Sequence, residues 1–224
     1  MIYLFFYEKS FSILIYSIMR YLKLFENFEE EKSVLIIIDV QKSFRKFFTE
    51  MYLHELKKYC QTFDEVYQIW DNHVEGKNPK TDYLYDEDVE EAITDDVYTF
   101  PNQVALIEKR YNYDVDADFY KNILSKEVYQ EIKNKEQNKS LKRGDVFPTN
   151  QGTIIVYIGN NHQWYHCPKK IYNLFQKFQG KEIKMVGGSD QECFLDVEVT
   201  ALALGVKVVR DFRFIWSASN CPIK

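Results

Sequence analysis

The feature that most constrains this chain is an unbroken apolar run inside Ser33–Val40 (SVLIIIDV), where five branched or leucine residues stand between charged neighbours. A short run of this kind is typical of a strand buried on both faces, as in a parallel sheet. Asp39 ends the run, which places a carboxylate where open α/β sheets bind their ligands. The other interpretation of Asp39 is a cap for the helix that follows.

Further apolar segments alternate with helical ones along the chain. The strand-like segments are Glu65–Trp70, Pro101–Lys109, Glu182–Val186 and Val206–Arg210. The helical segments are Phe44–Tyr59, Asp118–Lys135, Ile171–Phe178 and Phe194–Leu204. This alternation predicts an α/β fold of three layers, with a mostly parallel sheet and helices on both faces. Turn residues between β-rich runs in Gly144–Cys167 predict an inserted hairpin or strand, and Asp211–Lys224 reads as a tail.

A glycine turn that leads into a cysteine is the strongest chemical signal. Gly187 and Gly188 follow an apolar run, and Cys193 comes at the start of a helical segment. The positive end of a helix dipole favours a thiolate over a thiol, and the thiolate is the form that attacks a carbonyl carbon. Lys109 ends its strand at the predicted sheet edge that also carries Asp39.

Composition excludes several classes of protein. A net charge of −5 argues against a surface for nucleic acid. The four cysteines lie far apart without CxxC spacing, which favours free thiols in a reducing cytoplasm. Residues 1–32 form an apolar N-terminal extension, and Glu8 and Lys9 leave too short an uncharged stretch to span a bilayer. We expect an amphipathic helix there; a start codon placed too early and a membrane anchor are the alternatives.

Three motifs together resemble the isochorismatase-like cysteine hydrolases, which include nicotinamidases and related amidases. The first is Asp39-x-Gln41-x-x-Phe44 after an apolar strand, and the second is a strand that ends in Lys109. The third is the glycine turn into cysteine, whose spacing is met by Gly187, Cys193, Ala201 and Gly205. The resemblance covers roughly residues 34–210 and assigns the domain to residues 33–224, with an insertion at about 126–166.

The resemblance implies a role for each matching position. Cys193 would be the nucleophile, Asp39 the general base and then acid, and Lys109 the cation that keeps both partners charged. The amides of Ser189 and Cys193 would form an oxyanion hole, after a cis peptide between Gly188 and Ser189. Gln41, Phe44 and Trp70 would contact a small-molecule substrate, and a homo-oligomer is expected from the family.

A metal site is a further possibility that the resemblance suggests. Nicotinamidase-like members carry Asp-x-His after the second strand, and Asp71 and His73 match this pattern. No further histidine follows until His162, so the third ligand for a divalent ion such as zinc, iron or manganese is either missing or comes from elsewhere, with His162, His166 and Glu75 as candidates. We therefore expect no required cofactor, with Asp71 and His73 as candidate ligands. The stretch Asn160–His166 is suited either to recognition of a planar ligand or to a rigid loop or oligomer contact.

Several departures from the family leave the function open. Asp190 and Glu192 would surround the sulfur with negative charge, which opposes its activation. The leading hypothesis is a hydrolase that cleaves the C–N bond of a small amide. The alternatives are an inactive binding module on the same fold, and a vinyl-ether hydrolase of the isochorismate type that does not need the cysteine.

Overall fold

The computed structural model describes residues 32–71, 96–109, 117–159 and 164–217. Contacts divide the chain between Lys32 and Ser33, and the description below concerns the second unit. Its strands are β1 Val34–Ile38, β2 Glu65–Asp71, β3 Gln103–Lys109, β4 Val146–Pro148, β5 Ile154–Tyr157, β6 Trp164–Cys167, β7 Glu182–Gly188 and β8 Lys207–Trp216. Its α-helices are α1 Glu50–Cys60, α2 Lys126–Gln137, α3 Lys169–Lys177 and α4 Cys193–Ala203. Two short 3-10 helices cover Lys42–Phe47 and Ala117–Tyr120.

The central sheet has five strands in the order β3-β2-β1-β7-β8, and every adjacent pair is parallel. Because β1 leads outward to β2 and β3 while β7 leads outward to β8, the strand order reverses between β1 and β7. All five residues of β1 are buried, as a strand covered on both faces requires. The predicted α/β class with a parallel sheet is therefore confirmed. The reversal also places the ends of β1 and β7 at the point where such sheets bind ligands.

Helices cover both faces of this sheet. Leu35 and Ile37 of β1 share a core with α1 through Leu53 and Leu56. The other β1 side chains, which alternate with these, share a larger core with α3, α4, β5 and β6. The sheet is thus the middle layer between two groups of elements.

The region that the resemblance predicts as an insertion contains a separate antiparallel sheet in the order β4-β5-β6, called the inserted sheet below. Ile154 and Val156 on one face of β5 join the large core of the central sheet. Ile155 on the other face packs with α2 and the second 3-10 helix. The sequence predicted a hairpin or one added strand, whereas this region has three strands. The strand that was missed, β4, contains only three residues, which is too short for a clear sequence pattern.

Two sequence predictions of helix boundaries are wrong. The segment Phe44–Tyr59 is interrupted, because Phe48 and Thr49 are extended and Thr49 caps α1 by accepting a hydrogen bond from the backbone N–H of Tyr52 (3.1 Å). The segment Asp118–Lys135 is interrupted in the same way, and Ser125 caps α2. A threonine or serine at an N-cap competes with continuation of the preceding helix.

The prediction that Asp211–Lys224 is a tail is also wrong in part. Strand β8 continues through Phe214 to Trp216, after an irregularity where β7 pairs with it between Met185 and Gly187. Among the described residues, no helix is long and apolar enough to cross a membrane.

Candidate active site

A buried ion pair lies at the carboxyl edge of the central sheet. Asp39 directly follows β1, and Lys109 is the last residue of β3; both side chains are 0% exposed. Lys109 Nζ donates a hydrogen bond to Asp39 Oδ2 across the end of β2. The other carboxylate oxygen, Oδ1, is buried without a hydrogen-bond partner of ordinary geometry among the described residues. One oxygen of Asp39 is therefore committed to the lysine, and the other is available for a proton.

The backbone of Asp39 turns sharply out of the strand. Its φ is +52°, in the left-handed region that aspartate tolerates better than most residues. Its N–H still donates to the carbonyl of Ile69 in β2 (2.9 Å), so the turn begins only after the sheet pairing has ended. The turn directs the carboxylate toward Lys109 instead of extending β1 further. The interpretation of Asp39 as a helix cap does not describe these contacts.

The glycine turn is determined by close backbone approach on both sides. Gly187 has φ +106°, and a Cβ placed there would lie 1.9 Å from the carbonyl oxygen of Ile38 in β1. A Cβ on Gly188 would lie 2.4 Å from the Trp216 ring of β8. The peptide bond between Gly188 and Ser189 is cis, at the position that the family resemblance assigns. The turn can therefore pass between β1 and β8 only without side chains.

Cys193 begins helix α4 just beyond this turn. The carbonyl oxygen of Ser189 accepts hydrogen bonds from the backbone N–H groups of Glu192 (3.1 Å) and Phe194 (3.0 Å). These bonds tie the turn to the first residues of the helix. Cys193 is 7% exposed and belongs to the large core between the sheet and α4.

The three groups act on one another electrostatically. The Cys193 side chain lies within hydrogen-bonding reach of both Asp39 and Lys109. Burial raises the pKa of Asp39 to about 6, although the charge of Lys109 opposes that rise. Burial alone would lower the pKa of Lys109, but the negative charges of Asp39 and Asp71 and the hydrogen bond to Asp39 outweigh it and raise that pKa. At neutral pH the site therefore holds a carboxylate and an ammonium ion.

Cys193 itself is a neutral thiol in this environment. Burial raises its pKa well above the ordinary value, and the charge of Lys109 only partly opposes this. The expectation that the helix start favours a thiolate does not agree with this environment, because removing the sulfur from water favours the neutral thiol. Asp190 and Glu192 were expected to oppose activation of the sulfur. The charges that act most on it are instead those of Lys109, Asp39 and Asp71. Asp190 instead acts on Arg210.

Gln41 braces the end of the neighbouring strand. Its side chain is fully buried, and its Nε2 donates to the Asp71 carbonyl (2.8 Å) and to Asp96 Oδ2 (2.7 Å). Its Oε1 accepts from the Asp71 N–H (3.0 Å). These contacts fix the backbone of Asp71, whose side chain is 3% exposed. The amide that the resemblance assigns to substrate is thus engaged with the protein.

Phe44 and Trp70 lie on the other side of the sheet. Phe44 packs against Trp216 (ring centroids 5.6 Å apart), at the core that α1 shares with Leu35 and Ile37 of β1. Trp70 alternates with Asp71 along β2, so it points to the opposite face. It is 1% exposed, and its indole N–H has no hydrogen-bond partner among the described residues. The structure therefore brings neither ring to the face that carries Lys109 and Cys193.

The metal hypothesis is tested only in part by the described residues. Asp71 lies beside the ion pair, at the register position opposite Lys109, while His73 lies outside the described residues. Within the described ranges, no group of three or more histidine, cysteine, aspartate or glutamate side chains is arranged to hold a metal ion.

Tyr165 is a buried residue near the candidate site in the fold that the sequence argument did not single out. It lies in β6, is 1% exposed, and belongs to the same core as Cys193. It falls inside the stretch Asn160–His166, which had been noted only for its composition, and Asn160 to Gln163 lie outside the described residues. His166 faces the opposite side of β6, where its Nε2 pairs with Thr153 Oγ1 (2.9 Å). Because side chains alternate between the two faces of a strand, Tyr165 faces the same side as Cys167. That alternation could have identified Tyr165 as a residue that faces the central sheet.

Comparisons with protein-family models, with curated proteins and with solved structures found no match to this chain.

Proposed function

We propose that this protein is a cysteine hydrolase that cleaves the C–N bond of a small amide through an acyl-enzyme on Cys193. The observation that carries the proposal is the buried Asp39–Lys109 ion pair within hydrogen-bonding reach of the Cys193 thiol. The order of the strands, with these residues at the ends of β1, β3 and β7, also agrees with the isochorismatase-like fold that the motifs suggest.

The first half of the reaction would need a base, because Cys193 is not a thiolate at rest. Asp39 would accept the thiol proton as the sulfur attacks the amide carbonyl carbon. The charge of Lys109 would stabilise the carboxylate before the transfer and the developing thiolate during it. The amides of Ser189 and Cys193 are the proposed donors to the carbonyl oxygen as it becomes negative.

The second half would return the proton and release the acid. Asp39 would give its proton to the nitrogen as the C–N bond breaks, so that ammonia or an amine leaves and a thioester remains on Cys193. A water molecule would then attack the thioester carbon while Asp39 takes one of its protons. Cleavage of the C–S bond would return a proton to the sulfur and release the carboxylic acid.

Turnover of a panel of small primary amides, followed as ammonia release, tests the proposal. Wild-type protein should hydrolyse at least one amide, and Cys193→Ala should lose that activity by at least about 10³-fold, as expected when a nucleophile is removed. The matched control is Cys60→Ala, which removes a buried thiol from α1, in the other core of the protein. Full activity of Cys193→Ala would contradict the proposal.

One observation favours a second candidate function. Because Cys193 is a buried neutral thiol, it suits a site in which only Asp39 and Lys109 perform the chemistry, as in a vinyl-ether hydrolase of the isochorismate type. In that case Cys193→Ala would retain turnover of an enol pyruvyl ether, whereas Asp39→Asn would abolish it. If neither class of substrate reacts, the inactive binding module becomes the better hypothesis.

The predictions about setting and assembly stay predictions. A cytoplasmic location, a homo-oligomer and the absence of a required cofactor come from composition and resemblance. Sedimentation equilibrium would test the oligomer, and elemental analysis of the purified protein would test the metal at Asp71.

A further inference from the structure

The side chain of Tyr165 lies in the core that joins the inserted sheet to the central sheet and contains Cys193. In β6, Tyr165 pairs with Val156 and Cys167 pairs with Ile154, and all four residues belong to the core that contains Cys193. The alternating residues Trp164 and His166 face the opposite side of the sheet. The register of two short strands therefore decides that a phenol, and not an imidazole, points toward the central sheet.

The Tyr165 hydroxyl has no hydrogen-bond partner among the described residues, although it is buried. A buried hydroxyl without a partner is unfavourable, and buried tyrosine hydroxyls normally find one. Tyr52 shows the ordinary arrangement in this same protein, because its buried hydroxyl donates to the carbonyl oxygen of Phe214 (2.8 Å). The Tyr165 hydroxyl is therefore a buried donor for which the described residues supply no acceptor.

The acidic groups that act on Tyr165 include two from the candidate site. Burial raises its pKa well above the ordinary value, and the negative charges of Asp196, Asp39 and Asp71 raise it further. Two of these groups, Asp39 and Asp71, also act on Lys109. The phenol thus remains protonated and is a neutral donor beside groups that are mainly acceptors.

We propose that the Tyr165 hydroxyl is a substrate-binding group that donates a hydrogen bond to a second acceptor on the substrate. The substrates would then be small amides that carry a carbonyl, ring nitrogen or ether oxygen apart from the scissile carbonyl. Lys109 is already committed to Asp39, so Tyr165 supplies a donor that the ion pair does not. This inference rests on the proposed function, because it assumes that an amide occupies the site.

Matched pairs of amides test this inference without requiring turnover. Nicotinamide and benzamide differ by a ring nitrogen, and malonamide and butyramide differ by a second carbonyl group. The experiment measures how far each amide protects Cys193 from alkylation by iodoacetamide, in wild-type protein and in Tyr165→Phe. In wild-type protein, at least one acceptor-bearing amide should protect at a concentration about tenfold lower than its partner, the size expected for one hydrogen bond.

Tyr165→Phe should abolish this difference within the pair. Its Tm should be equal to or higher than that of wild-type protein, because only an unpartnered hydroxyl has been removed. The matched control is Tyr52→Phe, which removes a partnered hydroxyl. It should lower Tm and leave the difference between the paired amides intact.

Three results would overturn the inference. They are equal protection by both members of every pair in wild-type protein, an unchanged difference in Tyr165→Phe, and a Tm of Tyr165→Phe that falls as far as that of Tyr52→Phe. Ammonia release separates this failure from failure of the proposed function. Discrimination without hydrolysis would refute the hydrolase and keep the binding role of Tyr165, whereas hydrolysis without discrimination would do the reverse.

Discussion

At the residue scale, burial is the dominant influence on the candidate site. It raises the pKa of both Asp39 and Cys193, and the charge of Lys109 is the largest influence that lowers the pKa of Asp39. A thiol and a carboxylate that differ in this way cannot exchange a proton in the resting state to any large extent. Proton transfer is therefore expected to accompany attack on the substrate, and the protonation state of Asp39 should set the lower pH limit of activity.

Turnover should decline as the pH falls through about 6, the value to which burial raises the pKa of Asp39. Only the carboxylate form accepts the thiol proton, so protonation of Asp39 removes the base. We expect kcat/KM to fall about tenfold for each pH unit below the inflection. A pH profile between 4.5 and 8 measures this, and alkylation of Cys193 over the same range provides a readout that needs no substrate.

Lys109→Met should move that inflection upward, because it removes the cation that lowers the pKa of Asp39. Lys177→Met is the matched control, since Lys177 forms a half-exposed ion pair with Glu65 at the surface (3.0 Å). Surface pairs of this kind contribute ~0–1 kcal/mol, so the control should retain the wild-type profile. An inflection near 6 in Lys109→Met would contradict the electrostatic role assigned to the lysine.

At the element scale, the turn between β7 and α4 is held by its neighbours on both sides. Gly187 lies against the backbone of β1, and Gly188 lies against Trp216 of β8. The N–H of Asp190 also donates to the Trp216 carbonyl (3.1 Å). These contacts position Cys193 relative to Asp39, so the end of β8 supports a site to which it contributes no charged group.

Gly187→Ala should destabilise the fold severely. Its Cβ would lie 1.9 Å from the carbonyl oxygen of Ile38, and its φ of +106° is strained for alanine. We expect a loss of more than ~4 kcal/mol in the free energy of unfolding, measured by urea denaturation.

Gly180→Ala is the control for the backbone conformation alone. Gly180 has φ +79°, but a Cβ there would meet nothing within 4 Å. Its cost should be limited to the ~1–2 kcal/mol of a left-handed alanine. Equal losses in the two variants would show that close approach to β1 does not restrict this turn.

At the scale of the whole domain, the inserted sheet shares a core with the central sheet. Ile154 and Val156 of β5 pack in one cluster with Ile36 of β1 and Phe194 of α4. Because the shared residues are buried in both layers, neither sheet can lose its packing without exposing the core of the other. We therefore expect the two sheets to unfold together.

Ile154→Ala should lower the stability of both sheets. Ile154 is 6% exposed, and truncation of a buried isoleucine costs ~2–5 kcal/mol. Hydrogen exchange measured by mass spectrometry should show faster global opening of peptides from β1 and from β5 alike. Val104→Ala, at a position 56% exposed, should change neither. Faster exchange in β5 alone would mean that the inserted sheet unfolds independently.

Local pattern by itself determined the parallel strands and the residues at their ends. The apolar run in β1 predicts a strand of a parallel sheet, and the carboxyl ends of parallel strands lie at one edge. Asp39 and Lys109 could therefore be assigned to the same edge from the sequence. The glycine turn located Cys193. Tertiary packing determined the protonation state of the cysteine, the direction of two aromatic side chains and the boundary of one helix. Burial made Cys193 a neutral thiol. Strand register placed Tyr165 on the face of the central sheet that carries Cys193 and Trp70 on the opposite face. A threonine cap divided the helix predicted at Phe44–Tyr59. Periodicity is a local property that the sequence carries, whereas desolvation and cross-strand register depend on residues far apart in the chain.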